Sequence, residues 1–160
     1  MLIIVIVLTL VICFGGVLLL GAPYLPTLTP QVTIALDLAD LQAGQHLIEL
    51  GCGDGKILVA AAKRGIRVTG YELNPLLAVV CWLRTLRYRQ LVTVRCADFW
   101  RTEWPAADAI FTFLLPKYMI KLDKKIIQYK HKPVKLISFA FEIPDRQLIR
   151  SERGVHLYEY

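Results

Sequence analysis

The stretch from His46 to Gly55, HLIELGCGDG, constrains this chain more than any other. Leu47, Ile48 and Leu50 are the apolar positions of a short strand. Gly51, Gly53 and Gly55 follow at every second place. Lys56 to Lys63, KILVAAAK, then reads as a helix. A strand that runs through a glycine turn into a helix is a place where bare backbone approaches a ligand.

The rest of the chain alternates around that unit. Gly65 stops the helix, and Ile66–Tyr71 is the next expected strand, ending in Glu72. Asn74-Pro75 opens a helix that runs to about Leu86. Further strands are expected at Val92–Cys96, Asp108–Leu115, Val134–Phe141 and Val155–Tyr160, with a lysine-rich helix over residues 117–129. Ahead of them, Thr29-Pro30 opens a leading helix with Thr29 as its N-cap and Ala43-Gly44 at its end. Strands alternating with helices predict an α/β fold, a parallel sheet with helices on both faces. Six strands are expected, the end at Tyr160 leaving little room for a seventh.

The N-terminus is of another kind. Leu2 to Leu20 is 19 residues without a charge. As a helix it measures ~28 Å at ~1.5 Å per residue, about one hydrocarbon core. A cleaved signal peptide fits less well: no Lys or Arg precedes the run, it is long for such a peptide, and Ala22-Pro23 is a poor cleavage site. The hydrophobic share of 56% and mean hydropathy of +0.49 also exceed what a soluble domain needs. The expected organisation is a transmembrane anchor at 1–21, a proline-containing linker and leading helix at 22–44, and the α/β domain at 45–160. The linker, Pro23-Tyr24-Leu25-Pro26-Thr27, is either a stiff spacer or a segment that brings Tyr24 and Thr27 to a site in the domain.

Charge is divided unevenly. Residues 1–55 hold no Lys or Arg, while residues 56–160 hold 19 basic against nine acidic residues, a net +10. Basic segments stay on the cytoplasmic side. The expectation is a single-pass protein with its domain facing the cytoplasm, in a bacterial plasma membrane or an organelle inner membrane. Cys13, Cys52, Cys81 and Cys96 form no CxxC pair and no metal spacing with the three histidines, so neither a disulfide framework nor a metal is expected. The lysine-rich helix is either a solvated face or a contact for anionic lipid headgroups. Nucleic acid is not favoured, because few aromatics interleave the basic residues.

In an open parallel sheet, ligands bind beyond the carboxyl ends of the strands. The residues there are Glu49 to Gly55 (Glu49, Gly51, Cys52, Gly53, Asp54, Gly55), Glu72-Leu73-Asn74, Asp98-Phe99 and Leu115-Pro116. A phosphate ligand does not suit them. The P-loop spacing is missing, and Lys56 stands where the dinucleotide fingerprint needs its last glycine. Glu49, Asp54 and Glu72 would also repel phosphates. A nucleoside with hydroxyls to bind and a cationic portion fits better, and S-adenosylmethionine has both.

The run Glu49-Leu50-Gly51-Cys52-Gly53-Asp54-Gly55, with Glu72 and Asp98 after the next two strands, resembles the class I S-adenosylmethionine-dependent methyltransferases, which have a Rossmann-like sheet. The resemblance covers about residues 45–142. It implies that the glycine turn holds the methionine part of the cofactor and that Glu72 accepts hydrogen bonds from the ribose hydroxyls. It further implies that Asp98 accepts one from the adenine amino group and that Phe99 packs beside the ring. Pro23-Tyr24-Leu25-Pro26-Thr27, Gly70-Tyr71-Glu72-Leu73-Asn74-Pro75 and Asp98-Phe99-Trp100, in that order, are similar to one family in particular. It comprises the membrane-anchored protein lysine methyltransferases that act on the membrane-ring protein of ATP synthase (its C subunit) and on the adenine nucleotide translocase. The segment Phe113-Leu114-Leu115-Pro116 matches that family loosely.

The resemblance implies methyl transfer to a lysine of a membrane-associated protein, with Tyr24, Thr27, Leu115 and Pro116 as acceptor-site candidates and no assigned catalytic base. No Asn/Asp-Pro-Pro-Tyr tetrapeptide follows the fourth strand, which disfavours a nucleobase or glutamine acceptor. A lipid or small apolar acceptor, and a non-enzymatic scaffold on the same fold, stand as the alternatives.

Overall fold

A computed structural model of the chain describes Met1, Ile4 and residues 27–160. Tyr24 and, Ile4 apart, the apolar run Leu2–Leu20 lie outside the described residues. Among the described residues no helix is long and apolar enough to cross a membrane.

The elements are α1 (Thr29–Ala39), β1 (His46–Leu50), α2 (Lys56–Lys63), β2 (Arg67–Glu72), α3 (Pro75–Thr85), β3 (Val92–Cys96), β4 (Ala109–Thr112), α4 (Met119–Ile127), β5 (Lys135–Phe139), β6 (Arg150–Glu152) and β7 (Val155–Glu159). They form one seven-stranded sheet in the order β3-β2-β1-β4-β5-β7-β6. β1 to β5 run parallel, and β7 is antiparallel to both β5 and β6. The order reverses between β1 and β4, so the crevice of this open sheet lies at their carboxyl ends.

The two faces follow from the period of two in each strand. On one, Leu47, Val68, Val92, Phe111 and Ile137 pack under α1, α2 and Cys81 of α3. On the other, Ile48, Leu50, Tyr71, Ile110 and Leu136 pack under Met119, Leu122 and Ile126 of α4, together with Trp104. The α/β sheet with helices on both faces is the expected fold.

Several boundaries are corrected. Among the described residues there are seven strands, not six. Arg153 and Gly154, with φ of 46° and 78°, turn the chain in two residues, so the three-residue β6 fits before β7. Positive φ at both central residues is what a tight hairpin between twisted strands requires. β4 stops at Thr112 rather than Leu115. Its neighbour β1 ends at Leu50, paired with Thr112, and beyond that point β4 has no ladder on that side. The lysine-rich helix is split into a 3-10 turn over Pro116–Tyr118 and α4. Leu28, not Thr29, is the N-cap of α1, and that helix ends at Ala39 because Asp40 turns left-handed at φ 47°.

Candidate functional site

The glycine turn sits at the crevice and is fastened to β2. Gly51, Gly53 and Gly55 have φ of 84°, 51° and 78°, a region in which a Cβ is strained. The Gly51 and Cys52 amides both donate to the Tyr71 carbonyl at 2.9 Å. The Gly53 amide donates to Glu72 Oε2 at 2.8 Å, and the Asn74 amide donates to Glu72 Oε1 at 2.8 Å. Glu72 is buried and accepts one backbone N–H on each oxygen. Its rotamer is therefore set before any ligand arrives, with lone pairs remaining on both oxygens.

What lies under and over the turn differs. Below, the thiols of Cys52 and Cys81 are buried 3.6 Å apart. A Cβ on Gly55 would stand 2.7 Å from Cys81 Sγ, and one on Gly70 2.7 Å from Leu58 Cδ2 and 2.8 Å from Cys52 Sγ. The turn is packed down onto α2, α3 and β2 with no room to spare. Above, a Cβ on Gly51 would meet nothing within 4 Å among the described residues. That open space over bare backbone is where a ligand can lie.

The acids around the turn have distinct surroundings. Glu49 is buried at the end of β1, and its Oε2 has no hydrogen-bond partner among the described residues. Burial, reinforced by the neighbouring Cys81, Asp54 and Glu72, pushes its carboxyl well above the usual range. An orphaned buried carboxyl beside two further acids calls for a cation, and a bound ammonium or sulfonium supplies one. Asp54 is half-buried and paired with Arg84 of α3. Asn74 directs its Oδ1 to the Leu76 and Leu77 amides and caps α3. Leu73, between Glu72 and Asn74, is exposed.

At the end of β3, Asp98 Oδ1 accepts from the Trp100 amide at 2.9 Å, and Oδ2 lies 3.5 Å from Arg101 Nε. Phe99 packs against Trp100, ring centroids 4.7 Å apart, and its carbonyl accepts from Trp104 Nε1. The Ala97 amide donates to the Glu72 carbonyl, which ties the β3 exit to the β2 exit. Leu115 is half-buried and Pro116 exposed at the start of the 3-10 turn after β4, with Leu114 buried behind them. Thr27 is buried, and its carbonyl accepts from Lys56 Nζ at 3.4 Å. Lys56 opens α2 directly after Gly55, so the Thr27 carbonyl meets the side chain of the residue that follows the turn. Tyr24 lies outside the described residues.

The open cradle over Gly51, the preset Glu72 and the unpartnered Glu49 fit S-adenosylmethionine, with a ribose diol for Glu72 and a cationic methionine portion for the acid cluster. Sequence reasoning missed Arg84, Cys81, Gly70 and Lys56. Gly70 alone carried a signal, as an isolated glycine within a strand marks close approach.

Comparison with known proteins points the same way. A family model described as the ANTKMT methyltransferase domain matches residues 49–150. The lysine N-methyltransferase of the ATP synthase C subunit from Homo sapiens is 30% identical over 126 residues, 76% of this chain and 53% of that protein. A protein-lysine N-methyltransferase of Saccharolobus islandicus is 26% identical over 155 residues, 85% of this chain and 92% of that protein. The crystal structure of an RNA methyltransferase from Salinibacter ruber, in complex with S-adenosyl-L-homocysteine, superposes with a TM-score of 0.77 at 27% identity. It covers 85% of this chain and 92% of that one. The chain spans about half the length of the ATP synthase lysine methyltransferases it matches.

Proposed function

This chain belongs to the ANTKMT methyltransferase domain family, and from that premise we propose that it methylates a lysine side chain of a membrane-associated protein. Its cofactor is S-adenosylmethionine. The observation that carries the reading is Glu72, fixed through both oxygens by the Gly53 and Asn74 amides at the edge of an open glycine turn. When bound, the cofactor supplies an electrophilic methyl group on a sulfonium.

The chain's own residues then have to place and orient. Glu72 receives the ribose hydroxyls, Asp98 the adenine amino group, and Gly51 to Gly55 the methionine portion. Phe99 packs beside the adenine. Holding the partners in line is the main contribution such a site makes, and it is worth ~7–11 kcal/mol of the barrier. A lysine of ordinary pKa ~10.4 must arrive neutral to attack. Leu114, Leu115 and Pro116, directly after β4, supply apolar surroundings that disfavour the charged ammonium. The neutral lysine nitrogen would take up the methyl group that the bound cofactor supplies, and the methylated amine would release its proton to solvent.

The 19-residue apolar run supports a single-pass anchor at 1–21, and the basic domain at 45–160 supports a cytoplasmic side for the site. The named substrates of the lysine methyltransferase relatives make a protein lysine the favoured acceptor. Methyl-labelled S-adenosylmethionine incubated with the protein and native membranes tests this. A labelled protein band carrying a methylated lysine is expected, and label confined to the lipid extract ends the reading. An RNA acceptor is the second reading, favoured by the RNA methyltransferase likeness; label that is lost to ribonuclease would establish it instead.

A further inference from the structure

Helix α3 is built inside out for a surface helix. Its small residues, Ala78, Cys81 and Thr85, face the sheet. Its large apolar residues face outward: Val79, Trp82 and Leu83 are each 54% exposed, and Val80 and Leu86 are exposed beside them. Val79, Leu83 and Leu86 stand at i, i+4 and i+7, and Leu76 and Trp82 extend the same stripe. Arg87 and Arg89 follow at its end, both exposed and in no ion pair among the described residues.

We propose that this outer face of α3 rests on a phospholipid bilayer with anionic headgroups, the apolar stripe in the acyl boundary and Arg87 and Arg89 at the phosphates. The proposal rests on the anchor reading above and adds to it the face that the domain turns to the membrane. Chain geometry supports it. The continuous described stretch begins at Thr27, whose carbonyl accepts from Lys56 at the start of α2, and the adjoining Gly55 lies against Cys81 of α3. From there to Leu20 are seven residue steps, at most ~25 Å when extended. The domain therefore sits close to the bilayer on its α2–α3 side. Charge supports it too. An exposed apolar face with a cationic rim is the composition of an interfacial helix.

Other occupants match less well. The run Leu2–Leu20 has no acid to meet the arginines. A second copy laid face to face would oppose like charges.

The test uses the full chain reconstituted in phosphatidylcholine–phosphatidylglycerol vesicles, with the phosphatidylcholine either plain or brominated on its acyl chains. Trp100 and Trp104 lie with the loop and α4 on the other side of the sheet, so the Trp82→Phe difference isolates Trp82. Bromine is expected to quench tryptophan emission in the unaltered chain, and Trp82→Phe to remove most of that loss. Arg87→Glu is expected to weaken the quenching while the protein still floats with the vesicles. Equal quenching with and without Trp82 overturns the proposal. So does a Trp82 reached by aqueous acrylamide but not by bromine, or by neither, the latter meaning that protein covers the face. A chain that fails to float overturns the anchor along with it. Cofactor binding measured by calorimetry on the same samples stands apart from all of these and tests the methyltransferase reading alone.

Discussion

Glu72 is held by two amides 2.8 Å away, one on each oxygen. Glu72→Gln turns one acceptor into a donor that faces a backbone N–H, and it weakens the seat for the ribose. Charge-assisted hydrogen bonds are worth ~1.5–3 kcal/mol, so cofactor affinity should fall roughly tenfold to a hundredfold, as read by titration calorimetry. The glycines separate binding from stability. Gly51→Ala adds a methyl group to open space. It should cost only the ~1–2 kcal/mol of left-handed strain while obstructing the ligand. Gly55→Ala drives a methyl group to 2.7 Å from Cys81 Sγ. To the same strain it should add ~1–3 kcal/mol of overpacking, which a denaturant melt would detect. Equal losses of stability in the two variants would refute this account of the turn. The positions of these glycines and of Glu72 were legible in the chain because each role is local. Arg84 on Asp54 and Cys81 beneath Gly55 were not, since both partners arrive from a distant part of the chain once α3 has docked.

At the level of elements, the far end of β1 offers a pH-dependent contact that does not involve the site. His46 opens the strand, with Nδ1 2.6 Å from the Ala106 carbonyl and Nε2 2.9 Å from Thr69 Oγ1. Burial lowers its pKa below 6.5, against an opposing pull from the Ala106 carbonyl. The unfolded chain therefore binds a proton that the folded chain resists. The contribution is complete above pH 6.5 and is lost as the pH falls from there to the lowered folded value. Stability of the unaltered protein should decline through that window, and His46→Gln should flatten the decline in melts at stepped pH. Elements were readable where their period was long enough to see. β6 has three residues, all exposed, and no alternation to betray it. The end of β4 depends on where β1 stops, a matter of register between strands far apart in the chain.

For the whole molecule, the sheet order and the side chains that converge on its crevice imply a cofactor that binds only the folded chain. S-adenosylhomocysteine at a hundred times its dissociation constant should raise the unfolding free energy by ~2.7 kcal/mol. A thermal melt that does not move under those conditions would remove the cofactor site from the reading. The sheet and its helices followed from the alternation of strands and helices. Which side of α3 faces out did not, because it depends on how the helix docks on the sheet.

α3 has its first turn capped by Asn74 beside Glu72, Cys81 wedged under Gly55, and Arg84 on Asp54. The same rod thus carries one rim of the cofactor seat on its inner side and an apolar stripe on its outer side. Two ligands on one rigid body share a thermodynamic cycle. Whatever factor a bilayer adds to cofactor affinity by steadying α3, the loaded cofactor must return as affinity for the bilayer. An empty domain would then hold the surface more loosely than a charged one.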